Sequence, residues 1–441
     1  MVRGRLAWAS EEALNTIVAC ATGGDPSALA VVRLSGSDAL TIARSLCGSE
    51  RLKTQRTLEL VRLGDAIGLI DRCLAVPFFA PHSFTGEDVV EFHLHGGPGL
   101  VEAVIEACLK LGARRAEPGE FTRRAYLAGK LDLVEAEAIA ARASAATARA
   151  ARLAEAGVAG RLSHFARTIE SELTQLRAHV EGWLDFDPEE LTYDHLNRLV
   201  TSIQVCAERL RRAADSGARS LPLFEAPIVL LAGPVNAGKS SLFNNLVGSD
   251  RALVSAEAGT TRDWLEAELA LKSGRIRLRD SAGLRRAEGA IEAAGIERAQ
   301  ALQAEADLIL WCCPAGLELE APKRALKLCT KADQEVGVGL AVSSHSGEGI
   351  DDLLERINAT LFQEAAADSE TGVATSRRQV EHLNSAANRA AAAAQQMHGQ
   401  APELAATDLR AACDALSELT GAQEPDELML DALFGQFCLG K

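Results

Sequence analysis

The sequence predicts a multidomain protein. An N-terminal α+β domain comes first, an all-α domain follows it, and an α/β domain is inserted into the all-α domain. Short strand-like and helical runs mix in residues 1–127, whereas in residues 128–221 glycine is sparse and apolar residues recur at helical spacing. Residues 222–364 alternate strand-like and helical runs, which is typical of a parallel-sheet domain. Helical character returns in residues 365–441, so the two helical segments are predicted to form one discontinuous domain. Three independent domains in series is the alternative.

Composition and charge limit the class of protein. The 441 residues suffice for two or three domains, and 47% apolar residues can build extensive cores although only 4% are aromatic. A net charge of −15 argues against a broad, sequence-blind nucleic-acid binder. Apolar runs are too short to span a membrane, and the N-terminus lacks the apolar core of a signal peptide. The ten cysteines contain no C-x-x-C pair, so a cytoplasmic protein with reduced thiols is expected.

Several elements can be placed from hydrophobic periodicity. Residues 28–34 and 89–94 are predicted strands, and residues 100–111 are a predicted helix. Residues 386–396 and 408–419 are predicted helices of the last segment. The second segment carries an apolar helical stripe that must pack on a partner. Its members are Leu162, Phe165, Ile169, Leu173, Leu176 and Val180.

A phosphate-binding loop begins the inserted domain. Residues 233–240 read G-P-V-N-A-G-K-S, with a strand-like run at 226–232 before them and a helical run at 241–247 after them. Glycines let backbone N–H groups surround a phosphate without a Cβ clash. Lys239 would reach the β- and γ-phosphates, and Ser240 would bind Mg²⁺. A glycine-rich turn before a helix is the alternative.

Two downstream segments supply the expected switch elements. Residues 259–263 read G-T-T-R-D, where a threonine can ligate Mg²⁺ and contact the γ-phosphate. Asp280 ends a predicted strand and would hold Mg²⁺ through water, while the N–H of Gly283 would contact the γ-phosphate. Glu292 could orient the attacking water, or it could be a solvated helix charge. Three arginines are weaker candidates for neutralising the transition state: Arg262, Arg285 and Arg286.

A guanine-reading motif identifies the nucleotide. Residues 330–333 read T-K-A-D and fit [NT]-K-x-D. The carboxylate of Asp333 can accept both N1–H and N2–H of guanine, whereas adenine offers neither donor there. Residues 342–345 would form the loop behind the base, and Asn236 could ligate a monovalent cation between the α- and γ-phosphates. The motifs in this order predict a Ras-like GTPase domain, with an ATPase as the alternative.

The chain resembles the MnmE family (also TrmE) of tRNA-modification GTPases. The resemblance covers the whole chain in order, including the inserted G domain. The segments that carry it are Asn236-Ala-Gly-Lys-Ser-Ser241, Ala258-Gly-Thr-Thr-Arg-Asp263, Gly295-Ile-Glu-Arg-Ala299, Ser83-Phe-Thr-Gly-Glu-Asp88, His95-Gly-Gly-Pro98, Glu117-Pro-Gly-Glu-Phe-Thr122, Lys130-Leu-Asp-Leu133 and the terminal Phe437-Cys-Leu-Gly-Lys441.

The resemblance implies a specific activity. GTP hydrolysis would drive addition of a carboxymethylaminomethyl or aminomethyl group at C5 of the tRNA wobble uridine, with an FAD- and NADH-dependent partner of the MnmG type in a heterotetramer. The N-terminal domain would be folate-binding-like, would bind a 5-formyltetrahydrofolate-type cofactor and would form the homodimer. The G domains would dimerise across K⁺, which replaces an arginine finger. The alternatives are a GTP-switch factor for ribosome assembly and a dimerisation scaffold with a regulatory G domain.

Site residues follow from the resemblance by position. The potassium ligands would be Asn236, Ser255, Glu257 through its carbonyl, and Thr260, and the Mg²⁺ ligands would be Ser240 and Thr261. Glu292 matches the catalytic glutamate, and Cys438 matches the cysteine of the terminal motif. The folate contacts would be Arg33, Glu91, Lys130 and Lys441. The other nucleotide-binding positions are Ala237, Gly238, Lys239, Ser241, Ala256, Ala258, Gly259, Asp280, Ser281, Ala282, Gly283, Thr330, Lys331, Ala332, Asp333, Ser343, Ser344 and His345.

Alternative roles remain open for the N-terminal and C-terminal candidates. Arg33 and Glu91 could be surface charges, Lys130 could be a charge at a helix start, and Cys438 could be a buried thiol. Two histidines have the alternating strand spacing of metal ligands but lack a third ligand, so a metal site is not expected there: His93 and His95.

The chain also departs from the family pattern. Residues 23–32 lack the usual Pro/Gly-rich loop, and Ser255 and Ser281 each stand in place of a threonine. Cys312 follows a predicted strand where the family commonly has an aspartate. The segment 312–329 before the guanine-reading motif is short, which predicts a trimmed G domain.

Overall fold

The protein is described by a computed structural model that places residues 15–23, 26–48, 51–184, 193–248, 252–253, 265–280, 301–314, 316–317, 320–322, 325–335, 337–362, 372–399, 401–423, 425–438 and 440. The chain divides into two compact units. The first comprises residues 1–140, 158–178 and 409–441, and the second comprises residues 141–157 and 179–408.

Two sheets contain the strands, one in each unit. The first sheet has β1 (Ile17–Cys20), β2 (Leu29–Ser35), β3 (Glu59–Gly64), β4 (Leu69–Phe78), β5 (Val89–His95) and β6 (Arg114–Arg115). The second has β7 (Ile228–Ala232), β8 (Ala252–Leu253), β9 (Leu265–Ala270), β10 (Arg275–Asp280), β11 (Leu308–Pro314), β12 (Ala325–Thr330) and β13 (Leu340–Val342).

The helices connect and cover these strands. Their bounds are α1 (Ala39–Cys47), α2 (Pro98–Lys110), α3 (Glu120–Leu127), α4 (Leu133–Ser144), α5 (Ala148–Val158), α6 (Arg161–Leu184), α7 (Tyr193–Ser220), α8 (Lys239–Val247), α9 (Ile350–Leu361), α10 (Arg377–His398), α11 (Pro402–Thr420) and α12 (Glu427–Phe434). A 3₁₀ turn, Leu221–Leu223, follows α7.

The first unit is built on a six-stranded sheet in the order β3-β4-β5-β2-β1-β6. Neighbouring strands run antiparallel, except for the parallel pair of β1 with β6. Alternate residues such as Val32, Leu34 and Phe92 face a core that α1 and α2 close. Residues on the opposite face include Arg33 and Glu91, so the alternation of the strands decides which side chains are available to a ligand.

A small aromatic core joins the end of the chain to α3 and α4. The ring centroids of Phe434 lie 6.3 Å from Tyr126 and 5.3 Å from Phe437. Gly119, at φ +70°, packs directly against the backbone carbonyl of Phe434, where a side chain has no room. Arg123 adds an ion pair with Asp431 at 2.8 Å. These contacts fix α12 on the first unit.

The second unit contains a seven-stranded sheet in the order β13-β12-β11-β7-β10-β9-β8. The strands β13, β12, β11, β7 and β10 are mutually parallel, while β9 runs antiparallel to β10 and β8 runs antiparallel to β9. The central strand β7 is almost entirely buried, as expected for a parallel sheet covered on both faces. This strand order is that of a Ras-like α/β fold.

Helices α7 and α10 pack together in the same unit. A small residue permits the close approach, because a Cβ on Gly217 of α7 would lie only 3.0 Å from Cγ2 of Val380 on α10. Ser376 caps α10 by accepting a hydrogen bond from the N–H of Gln379. The buried face of α10 consists mainly of alanines.

The predicted fold class is confirmed. The predicted strands 28–34 and 89–94 correspond to β2 and β5, and the predicted helix 100–111 corresponds to α2, which begins earlier because Pro98 can occupy its first turn. The apolar stripe lies on α6, where all members are buried except Leu176, which is partly buried. Among the described residues, no helix combines the length and the apolar character needed to cross a membrane.

Candidate functional site

The loop between β7 and α8 has the backbone of a phosphate-binding loop. Gly233 has φ +140°, Asn236 has φ +62° and Gly238 has φ +86°. A Cβ on Gly233 would collide with the carbonyl of Cys312 on the adjacent strand β11, so only glycine fits there. Gly238 stands at the N-cap of α8 and has no side chain to cap the helix, so the N-terminus of α8 faces the loop, which suits an anion.

Lys239 is folded over this loop. Its Nζ donates hydrogen bonds to the carbonyls of Gly233 at 3.0 Å and Pro234 at 2.7 Å. The residue is only 9% exposed, so its charge lies inside the concave loop and not in bulk solvent. An ammonium group held in this way suits the β- and γ-phosphates of a nucleotide.

Ser240 and Asp280 bring two hard oxygen donors together. Asp280 is the last residue of β10, which pairs in parallel with β7 so that Asp280 lies opposite Leu231. The Oγ of Ser240 donates a 2.8 Å hydrogen bond to Oδ2 of Asp280, which is 1% exposed. Hydroxyl and carboxylate oxygens are the donors that Mg²⁺ prefers, so these residues fit the ion predicted from the sequence.

The guanine-reading motif follows β12. Thr330 ends the strand, Lys331 has φ +59°, and the Oδ1 of Asp333 accepts a 2.6 Å hydrogen bond from the Oγ of Ser343. That hydrogen bond holds the pKa of Asp333 below its usual range, although desolvation opposes the shift. The carboxylate is therefore charged and oriented, as recognition of two guanine N–H groups requires.

The loop behind the expected base is organised around Ser343. Its Oγ accepts hydrogen bonds from the N–H groups of His345 and Ser346, each at 3.2 Å. Its backbone N–H donates to the carbonyl of Glu348 at 2.9 Å. Thr330 presents a buried Oγ1 that has no hydrogen-bond partner among the described residues. This orphaned hydroxyl points to a group that the nucleotide site can still accept.

Asn245 was not singled out by the sequence. It lies on α8, and its Nδ2 donates a 3.0 Å hydrogen bond to the carbonyl of Ser344. The available signal was a polar residue placed between Leu246 and the apolar positions Leu242 and Phe243 of the same helix. Periodicity alone could not reveal its partner, which lies in a distant loop.

Many predicted positions fall outside the described residues. The nucleotide and potassium candidates among them are Ser255, Ala256, Glu257, Ala258, Gly259, Thr260, Thr261, Ser281, Ala282 and Gly283, and the others are Glu292, Lys441, Arg262, Arg285 and Arg286. Of the remaining positions on the loop, Ala237 is fully buried and Ser241 is exposed. The structure therefore describes the phosphate loop and the guanine reader but not the switch segments.

The first unit holds a separate group of predicted site residues. Arg33 and Glu91 lie directly opposite each other on β2 and β5, and the Nε of Arg33 donates to Oε1 of Glu91 at 2.8 Å. The guanidinium carbon of Arg33 also lies 5.8 Å from the ring centroid of Phe84 and 5.5 Å from that of Phe121. Both charged side chains are mostly buried, which disfavours the interpretation of either as a simple surface charge.

Lys130 approaches the same region through the segment 81–88. Its Nζ donates to the carbonyl of Pro81, and a Cβ on Gly86 would lie 3.2 Å from Cε of Lys130. The segment carries Phe84 towards Arg33, so it lies between the two predicted folate contacts. The structure thus brings Arg33, Glu91 and Lys130 into one neighbourhood.

A partly buried ion pair and a hydrogen bond, both made by Glu87, hold the segment 81–88 in place. Glu87 accepts hydrogen bonds from the Nη1 of Arg124 at 3.0 and 3.1 Å and from the Oγ of Ser35 at 2.6 Å. Arg124 also donates to Glu120 at 3.0 Å. Burial opposes ionisation of Glu120, but hydrogen bonds from Arg114 and from the Glu117 N–H hold its pKa below the usual range.

The terminal motif packs beside this neighbourhood. Gly440, at φ +89°, lies against the carbonyl of Cys20 at the end of β1, where a Cβ would not fit. The preceding residue on β1, Ala19, is the direct neighbour of Arg33 on β2. Cys438 is exposed, so the alternative of a buried thiol is wrong.

Each of the two histidines on β5 lies near a carboxylate. The Nε2 of His93 lies 3.8 Å from Oε2 of Glu91, and the Nδ1 of His95 lies 2.9 Å from Oδ1 of Asp71. No group of three or more His, Cys, Asp or Glu side chains that could hold a metal occurs within the part of the chain that the structure describes.

The phosphate loop and the strand order define the part of the second unit built on the seven-stranded sheet as the GTPase domain of a P-loop protein of the Ras-like class. Two family profiles match the chain: "GTP-binding protein TrmE N-terminus" over residues 16–130 and "MnmE helical domain" over residues 133–438. The chain belongs to the MnmE family of tRNA modification GTPases.

Relatives match along nearly the whole chain. The tRNA modification GTPase MnmE of Xanthomonas campestris pv. campestris (strain B100) is 39% identical over 447 aligned residues, covering 97% of this chain and 99% of the relative. The MnmE of Parvibaculum lavamentivorans is 39% identical over 442 residues, covering 97% and 100%. Among solved structures, the G domain of the T. maritima FeoB iron transporter matches 31% of this chain and 99% of its own, with 26% identity and a TM-score of 0.24.

Proposed function

We propose that this GTPase supplies the nucleotide-driven step in modification of the tRNA wobble uridine at C5, forming carboxymethylaminomethyl or aminomethyl groups. The observation that carries the proposal is the meeting of Lys239, Ser240 and Asp280 at one loop, in a chain that matches tRNA modification GTPases over 97% of its length. The chemistry at the uridine would require an FAD- and NADH-dependent partner of the MnmG type. The tRNA would be bound mainly through that complex, in the cytoplasm.

GTP hydrolysis would use residues of the G domain in distinct roles. Lys239 and the N–H groups of the first turn of α8 would hold the phosphates, and Asp333 would select guanine. Ser240, Thr261 and, through water, Asp280 would hold Mg²⁺, which when bound neutralises charge on the β- and γ-phosphates. Glu292 would orient the attacking water. Lys239, Ser240, Asp280 and Asp333 are already held by the hydrogen bonds given above, so these four side chains would need little rearrangement on the way to the transition state.

Asn236 supports a potassium-dependent mechanism. It lies in the phosphate loop with φ +62° and an exposed side chain, so its amide oxygen is available to an ion beside the phosphates. The other proposed ligands are Ser255, the carbonyl of Glu257, and Thr260. A cation at this position would supply the charge of an arginine finger when two G domains meet.

The first unit would bind a 5-formyltetrahydrofolate-type cofactor. Arg33, Glu91 and Lys130, with the terminal Lys441, would hold the polar parts of the cofactor. The rings of Phe84 and Phe121 beside Arg33 give apolar surface for its flat ring. Cys438 would act from the terminal motif that packs beside β1.

The exposed leucines on the sheet of the first unit favour a homodimer that forms through this unit. Leu60 and Leu74 lie directly opposite each other on β3 and β4 and are 68% and 42% exposed. Exposed neighbouring leucines of this kind favour contact with another protein surface.

We propose the domain bounds 1–127 for the N-terminal domain, 128–221 and 365–441 for the helical domain, and 222–364 for the G domain.

The decisive experiment measures wobble nucleosides in a strain that lacks this gene. Mass spectrometry of digested tRNA should show loss of the C5-modified uridines, with recovery on expression of the wild-type chain but not of Lys239→Ala. Calorimetry with 5-formyltetrahydrofolate on purified protein tests the cofactor separately. Normal wobble uridines together with defective ribosome assembly would instead support a GTP-switch assembly factor.

A further inference from the structure

Asn245 connects the phosphate-binding helix to the loop behind the guanine. Its Nδ2 donates a 3.0 Å hydrogen bond to the carbonyl of Ser344, and the contact is partly buried. The two residues are separated by 99 positions in the chain, so the bond joins two parts of the nucleotide site that share no local sequence.

The accepting loop controls the orientation of Asp333. Ser343, next to Ser344, donates its hydroxyl hydrogen to Oδ1 of Asp333 at 2.6 Å, while its oxygen accepts from the N–H groups of His345 and Ser346. Moving the Ser344 carbonyl therefore moves Ser343 and the hydrogen bond that orients the carboxylate. Asn245 supplies a side-chain bond that fixes this loop to α8.

We propose that Asn245 is a positioning residue for guanine selectivity. The proposal rests on the proposed role of Asp333 as guanine reader. A carboxylate that accepts both N1–H and N2–H must lie in the plane of the base, so a small displacement weakens the pair of bonds. Asn245 keeps the reader at its working position by holding the loop against the helix that also binds the phosphates.

The test compares binding of GDP with binding of inosine diphosphate, which lacks the exocyclic amino group. Asn245→Ala should weaken GDP binding by about fivefold, the effect of one ordinary hydrogen bond, and should change inosine diphosphate binding much less. The selectivity ratio, defined as the affinity for GDP divided by the affinity for inosine diphosphate, should therefore fall. Asn245→Asp, which keeps the shape but removes the donor, should lower the ratio in the same direction.

A double variant identifies the route of the effect. If Asn245 acts through Ser343, then Asn245→Ala should change the ratio little in a Ser343→Ala background, because the orienting bond is already absent. Asn244→Ala is the matched control, since it makes the same change at the adjacent, exposed position of α8. Thermal unfolding of each variant shows whether it is folded. If Asn245→Ala does not fold, the selectivity ratio of Asn245→Asp decides the test.

Two outcomes would overturn the proposal. Equal weakening of GDP and inosine diphosphate would place the effect of Asn245 on the phosphate loop, and an unchanged ratio in both variants would remove its positioning role. Asp333→Ala separates this failure from failure of the proposed guanine reader. If Asp333→Ala leaves the ratio unchanged, the reader itself is wrong; if only the Asn245 variants do, the reader stands and the positioning role is lost.

Discussion

The hydroxyl of Ser240 donates a 2.8 Å hydrogen bond to the carboxylate of Asp280, although the two residues are 40 positions apart. The parallel pairing of β7 with β10 brings their carboxyl ends to the same edge of the sheet. The hydrogen bond keeps both oxygen donors in place at the position proposed for Mg²⁺.

Asp280→Asn should lower GTP turnover by about 100-fold, because an amide holds the metal less strongly and the phosphate charge is less neutralised. The loss should be partly recovered at high Mg²⁺ concentration, which titration of steady-state hydrolysis measures. Turnover that is unchanged at limiting Mg²⁺ would contradict the proposed role.

Ser343→Ala should make GDP binding more sensitive to acid. The hydrogen bond from Ser343 lowers the pKa of Asp333, so in the wild type the carboxylate stays charged to a lower pH than an ordinary aspartate. Guanine binding is present above that pKa and is lost as pH falls through it. In the variant the pKa rises toward that of an ordinary aspartate, about 4, so GDP affinity should begin to fall at higher pH than in the wild type, as fluorescence titration from neutral pH down to about pH 3.5 can measure. Superimposable pH profiles would contradict the expectation.

Asn236→Ala should remove the difference between the rates of GTP hydrolysis in potassium and in sodium. Wild-type turnover is expected to be at least about tenfold faster in K⁺, since a correctly placed charge replaces an arginine finger. Hydrolysis assays at equal ionic strength measure the ratio. Val235→Ala, an exposed neighbour on the same loop, is the control and should keep the preference. A K⁺ preference that survives in Asn236→Ala would exclude this residue as a ligand.

Arg33→Ala and Glu91→Gln should each weaken binding of 5-formyltetrahydrofolate by about tenfold or more. Each change removes the charge of one member of a mostly buried ion pair, so the other member loses its orientation and is left with an uncompensated charge. Calorimetry gives the affinity, and GDP binding should remain normal. Arg62→Ala, at an exposed position on the same sheet, should bind the folate like the wild type. Unchanged folate binding in both site variants would place the cofactor elsewhere.

Phe434→Ala should destabilise the first unit by about 3–5 kcal/mol, because it leaves a cavity between Tyr126 and Phe437. Phe434 is 2% exposed, whereas Leu428 on the same helix is 76% exposed. Leu428→Ala should therefore change stability by less than about 0.5 kcal/mol. Urea-induced unfolding followed by circular dichroism compares the two variants, and equal midpoints would show that the aromatic core contributes little.

Hydrophobic periodicity located elements better than it located their ends or partners. The strands β2 and β5 and the helix α2 occur where the pattern predicts them, because burial on one face forces a period of two or of about 3.6 residues. The predicted helix 386–396 lies within α10, which begins earlier, at Arg377. The helix α2 begins at Pro98 and not at the predicted residue 100, since proline fits the first turn of a helix but interrupts an apolar pattern. The exposure of Cys438 could not be predicted, because it depends on where the terminal motif packs, and no local pattern encodes that position.

The sequence by itself determined the nucleotide, the order of the domains and the family, because each motif is a local arrangement of residue types with a fixed chemical purpose. Only the tertiary structure decided that Arg33 pairs with Glu91, that Ser343 orients Asp333 and that Asn245 holds the loop beside it. These contacts join residues that are distant in sequence or lie on different elements. They depend on strand register and helix packing, which arise from the whole fold and not from any short segment.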